Sequence, residues 1–84
     1  YPNPFNPSTN IVFDIYKDED VRVEIFNLRG QKVSLLAQEH MARGKHQVVW
    51  NGTDDNGSNV GSGMYIIRLA TTTDTKTAKV LLMK

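Results

Sequence analysis

The chain has 84 residues with no cysteine, 39% hydrophobic content, and ten Lys and Arg against nine Asp and Glu, for a net charge near +1. A chain this short makes one small domain that buries only about 60–65% of the surface it exposes when unfolded, and without cysteine it has neither a disulfide framework nor a thiolate metal site. Charges of both signs are scattered, so no basic stripe points to nucleic acid, and apolar runs of about four residues fall far short of the roughly 20 needed for a helical membrane span.

The opening YPNPFNPSTN places three prolines within seven residues. Each proline fixes its own φ and biases the residue before it toward extended geometry. Residues 1–8 are therefore expected to form a linker that docks Tyr1 and Phe5 against the domain edge, with residues 9–84 forming the domain. The start lacks the charged and apolar layout of a signal peptide. It looks like the beginning of a C-terminal domain excised from a larger secreted protein.

From Thr9 to Tyr16 apolar and polar residues alternate, with Ile11, Phe13 and Ile15 on one face and Val12 and Asp14 on the other. KDED at 17–20 reads as a charged, solvated turn. Val21 to Leu28 alternates again, placing Val21, Val23 and Ile25 inward and Arg22 and Glu24 outward. Arg29-Gly30 is a turn signal, and Lys32 to Gln38 gives a third strand. EHMARG at 39–44 has the composition of a helical turn but is too short for a stable helix. His46, Val48 and Trp50 share one face of the next strand, and Tyr65, Ile67 and Leu69 share one face of another, leaving Arg68 to solvent. Between these two strands, NGTDDNGSNVGSG holds four glycines and almost no large apolar group, the composition of a long polar turn. A tight TTTDT connection leads to the last strand, Lys76 to Met83, in which Ala78, Val80 and Leu82 alternate against Lys79 and Leu81.

Six strands, or seven with the N-terminal segment, recur every 8–15 residues, and no stretch of 12 has a helical period. This pattern predicts an all-β domain, an immunoglobulin-like antiparallel β-sandwich of about seven strands. Its core is expected to comprise Phe13, Val23, Ile25, Val48, Trp50, Tyr65, Ile67 and Leu69, anchored on the sole tryptophan.

No catalytic constellation emerges, and the chain is read as a non-enzyme without cofactor or metal. His46 lies on the Trp50 face and is expected to be structural, and neither it nor His40 is flanked by further zinc ligands. The serines (8, 34, 58 and 62) have no base at motif spacing and Gly-x-Ser-x-Gly does not occur. TDDNGSN at 53–59 offers oxygen ligands. Counted as a calcium loop from Asp54, however, it has Asn59 where the loop needs glycine and Tyr65 where it needs a bidentate glutamate. A turn in which Asp and Asn side chains bond nearby amides is the better reading. Arg68, Lys76, Lys79 and Lys84 fall on the last two strands. There they either guard an exposed edge against pairing or form a docking surface for an anionic or membrane-associated partner.

Three segments, YPNPFNPST at 1–9, I-x-F-x-I at 11–15 and V-x-V-x-I-F-N-L-R-G at 21–30, form one group. G-x-H-x-V-x-W-N-G-T-D-D-N-G at 44–57, V-x-S-G-M-Y at 60–65 and K-V-L-L-M-K at 79–84 form another. The ordered set resembles the type A C-terminal sorting domain of the type IX (Por) secretion system over essentially the whole chain. The resemblance implies an immunoglobulin-like domain at the C-terminus of a protein exported through the periplasm of a Gram-negative bacterium to the cell surface or medium. The domain directs this cargo across the outer membrane, and a sortase then removes the domain, cutting upstream of Tyr1. The implied partners are outer-membrane type IX components and the sortase. Anionic lipopolysaccharide is met only by the cargo after cleavage. The residues it implies for recognition are Gly63, Tyr65, Arg68, Lys79, Val80, Leu81, Leu82 and Lys84. An exposed last strand also opens the way to a strand-exchanged homodimer.

Two other readings compete. The immunoglobulin-like insert of flagellar hook-capping proteins, a structural scaffold, shares W-D-G-x-D-x-x-G and S-G-x-Y, which match here from Trp50 to Tyr65 with Asn51 in place of the Asp. The opening YPNPFNPST and the closing KVLLMK put the sorting reading ahead of it. A carbohydrate-binding accessory domain of a secreted hydrolase would expose a row of aromatics, for which only Tyr1, Phe5, Tyr16 and Phe26 remain.

Overall fold

A computed structural model describes residues 8–83. The expected docking of Tyr1 and Phe5, and the seventh strand, lie outside the described residues. Within them the chain is all-β and sandwich-like, with six strands: β1 (Thr9–Ile15), β2 (Glu19–Phe26), β3 (Lys32–Met41), β4 (Gly44–Trp50), β5 (Gly63–Thr71) and β6 (Thr75–Leu82). β1 and β4 form one antiparallel sheet, and the other has the order β3-β2-β5-β6, antiparallel throughout.

The alternation in the sequence becomes the sandwich interior, because a two-residue period sends every second side chain to the same face. At one end Ile15 packs with Val21, Val23 and Met41, with Phe13 and Val48 against them. At the other, Ile25, Trp50, Tyr65 and Leu82 pack together. Leu36 and Ile67 touch both groups and join them. Of the expected core, Val23, Ile25, Trp50 and Tyr65 are buried, whereas Phe13, Val48, Ile67 and Leu69 are partly buried and packed against that centre.

Trp50 is 1% exposed, and its ring meets that of Tyr65 edge-on at 5.0 Å. Each ring also carries a polar group that must find a partner when buried. The Trp50 indole donates to the Thr53 carbonyl at 2.9 Å, and the Tyr65 hydroxyl donates to the Gly61 carbonyl at 2.6 Å. The core pair thereby holds both ends of the connection between β4 and β5.

Two local expectations are corrected and a third gains a detail. EHMARG is no helical turn: β3 runs on to Met41, whose burial against Val21 and Ile15 favours the extended chain, and only residues 42–43 turn. The charged turn stops at Asp18, because Glu19 begins β2 and is buried. Glu24 lies on the outer face as read, yet it is only 4% exposed, since neighbouring cations cover it. β3 also carries two register shifts against β2, beside Glu24 and Phe26. They leave Leu36 and Val33 without direct partners, and both pack into the core.

Trp50→Ala should lower unfolding free energy by about 3–5 kcal/mol in urea denaturation. Val49→Ala, on the opposite and exposed face of the same strand, should stay within about 0.5 kcal/mol of the parent.

Candidate recognition face

The last hairpin is built to be rigid on one side and open on the other. β5 and β6 pair from Gly63↔Leu82 to Ala70↔Thr75, and β5 pairs on its other side with β2. Tyr65, Val80 and Leu82 point inward to the Trp50 group. Arg68, Lys79 and Leu81 alternate with them and face out. The segment read as a single recognition motif is thus divided: Leu82 is 1% exposed and Leu81 52%. Gly63 opens β5 at φ 148°, a backbone conformation that residues with side chains rarely adopt. Lys84 lies outside the described residues.

Cross-strand rows on the outer face bring in residues that the sequence reading left out. Phe26, Ile66 and Lys79 lie in one row, with Met64 and Leu81 in the next. Met64 is part-exposed, so this end of the sheet shows apolar side chains to solvent. It adjoins a shallow groove of about 240 Å³ lined in part by Leu28, Arg29, Gly63 and Met64. Glu24 and Arg68 are directly opposite each other. Arg68 Nη2 donates to Glu24 Oε1 at 3.0 Å, Lys32 Nζ lies 3.9 Å from Glu24 Oε2, and the guanidinium sits 4.4 Å over the Phe26 ring. This pairing offsets the cost of burying the Glu24 carboxylate. The signal was present in the sequence as matching parity of Glu24 and Arg68, but the pairing of β2 with β5 is a tertiary fact.

The far end of the hairpin is fixed by a second buried carboxylate. Thr71 N donates to the Asp74 carbonyl at 2.8 Å, closing the turn, and Thr72 Oγ1 donates to Glu19 Oε1 at 2.7 Å. The Thr72 hydrogen bond is the main cause holding the Glu19 carboxyl below its ordinary pKa, against the opposing effect of burial. The β5–β6 turn is therefore tied to the start of β2.

The loop before β5 is held by its own acidic groups. Asp54 Oδ1 accepts from Asn56 N and Ser58 N, the expected turn chemistry, with Gly57 at φ 82° completing the bend. Asp55 does something the sequence did not reveal. Its amide donates to the Val33 carbonyl and its carboxylate accepts from Leu35 N at 2.8 Å, so the loop covers part of the outer edge of β3. Each histidine has a local partner: His46 stacks on Phe13 and its Nε2–H donates to the Ala42 carbonyl, and His40 Nδ1 is 3.0 Å from Asp20 Oδ1. A wider, open cleft near His40 is lined by polar and apolar residues of β2, β3 and the end of β5 with Thr72. Among the described residues no group of three His, Asp or Glu could hold a metal ion. The outer face of β2, β5 and β6 thus offers apolar surface, cations and a strand edge, a set suited to binding.

The family model for the secretion system C-terminal sorting domain matches residues 1–83. No curated protein matches the chain. Among solved structures, FlgD from Xanthomonas campestris, a protein of the hook capping essential for flagellar assembly, is similar over 92% of this chain and 55% of its own, at 32% identity and TM-score 0.71. FlgD from P. aeruginosa is similar over 89% and 59%, at 21% identity and TM-score 0.70. The chain therefore spans little more than half the length of either FlgD structure.

Removing the Arg68 guanidinium should leave Glu24 buried with Lys32 as its remaining partner. Arg68→Ala should cost about 1–2 kcal/mol in urea denaturation, less than a fully buried pair because Arg68 is part-exposed. Adding Glu24→Gln should recover most of that loss.

Proposed function

The chain belongs to the family of secretion system C-terminal sorting domains, and from that membership we propose that it is the sorting signal that takes an attached cargo across the outer membrane of a Gram-negative bacterium by the type IX system. The observation that carries this reading is the family match over residues 1–83. In this reading residues 1–8 link the cargo to the sandwich, and the domain catalyses nothing. A sortase removes it once the cargo is anchored at the surface. The protein it travels with supplies any enzymatic activity.

Recognition is assigned to the open side of the β5–β6 hairpin. Arg68, Lys79 and Leu81 meet the machinery directly, and Gly63, Tyr65, Val80 and Leu82 hold those three in place. A receptor that accepts many cargoes needs a signal of fixed shape that is independent of the cargo, and a strand backed by a packed core provides one. The 32% identity to the X. campestris hook-capping protein favours a second reading, a scaffold module that fixes the geometry of an assembly.

A fluorescent protein bearing an N-terminal export signal and residues 1–84 at its C-terminus separates the two readings in a host with a type IX system. The tagged protein should reach the surface or medium, and a version lacking residues 79–84 should remain in the periplasm. Leu81→Ser, which spares the core, should reduce export while leaving the melting temperature of the domain unchanged. Periplasmic retention of the intact, folded tag would contradict the sorting reading and favour the scaffold.

A further inference from the structure

Of the two outer strands of the four-stranded sheet, β3 has part of its edge covered by Asp55. β6 is paired only with β5 among the described residues. From Thr75 to Lys79 it is exposed, and it carries lysines at 76 and 79. Lysines three positions apart on a strand point to opposite faces, so a strand laid along β6 would meet one ammonium on each side. Edge lysines discourage pairing with a second cationic edge, since like charges opposite each other are destabilising. They give no such protection against carboxylates.

We propose that the β6 edge is the seat for an antiparallel strand of the secretion machinery, apolar in its first half and acidic in its second, so that this inference rests on the sorting reading. The cross-strand rows specify the pattern. Opposite Leu82, Leu81 and Val80 the incoming strand carries apolar residues, extending the Met64–Leu81 row outside and the Tyr65–Val80 row inside. Opposite Lys79, in the row of Phe26 and Ile66, it carries a carboxylate. Opposite Ala78 and Thr77 it carries small or polar residues. Opposite Lys76, whose ammonium lies 5.7 Å from the Tyr16 ring centre, it carries a second carboxylate. Main-chain hydrogen bonds supply affinity that is independent of cargo, and the charge pattern supplies selectivity. The same lysines keep two copies of the domain from pairing edge to edge.

The test uses the 84-residue chain and two capped synthetic peptides, each with three β-branched apolar residues followed by a charged, a small, a polar and a second charged residue. The charges are Glu in one peptide and Lys in the other. The acidic peptide should bind in calorimetry and slow hydrogen exchange at β6 amides, and the basic peptide should do neither. Lys76→Glu/Lys79→Glu should weaken the acidic peptide by about tenfold and admit the basic one, with an unchanged melting temperature showing that the fold is intact. The proposal is overturned if both peptides bind equally, if the β6 amides that point away from β5 are already protected in the free domain, or if the domain binds phosphatidylglycerol vesicles but not the acidic peptide. Full export of a reporter tagged with the charge-reversed domain would also overturn it, while leaving the sorting reading in place.

Discussion

The edge-on packing of Trp50 against Tyr65 is the contact on which the rest of the domain depends. With so little chain, the core cannot be large, and Trp50 provides the biggest buried side chain in it. Both aromatic rings must also satisfy a polar atom, and both do so on carbonyls of the β4–β5 connection, at Thr53 and Gly61. A polar, glycine-rich loop that could not bury itself is thereby fixed to the centre of the molecule. Asp55 of that loop then reaches β3, and Tyr65 and its inward neighbours on β5 and β6 set where the last hairpin lies. Loss of the aromatic pair would loosen the core, the loop and the hairpin together.

Two buried carboxylates give the hairpin its remaining constraints. Glu19 accepts from Thr72 at the turn, and Glu24 accepts from Arg68 midway along β5. Burying a charge is costly unless it is paired, so each glutamate favours the one arrangement in which its partner is in reach. Strand pairing, the inward apolar row and these polar contacts all select the same register. The hairpin proposed for recognition is thus fixed on its inner side by several independent contacts, while much of its outer side stays exposed.

Most of the architecture was legible because period-two alternation marks each strand and its inward face, as in Ile11–Phe13–Ile15 and His46–Val48–Trp50. The end of β3 was hidden because Glu39 and His40 are polar, so that Met41 alone does not make a pattern; its burial comes from β1 and β2. The burial of Glu19 and of Glu24 is hidden for a related reason. Acidic residues beside a turn or at an outward position are normally solvated, and nothing local shows that Thr72 or Arg68, more than 40 residues away, will cover them. The hairpin itself could be found from Gly63 to Leu82, but the part played by Phe26, Met64 and Ile66 in its outer face follows from strand order. Asp55 could be recognised as a turn residue and not as a partner for the β3 backbone, since that contact spans two elements with no shared periodicity.

The most direct measurement is export, by a type IX host, of one fluorescent cargo carrying each of three tags: the intact domain, the Trp50→Ala domain, and residues 61–84 alone. A sorting signal made of a packed frame that presents its last hairpin predicts efficient export for the intact domain and periplasmic retention for the other two. Efficient export by residues 61–84 alone would contradict it, because the hairpin sequence would then suffice without the sandwich that shapes it.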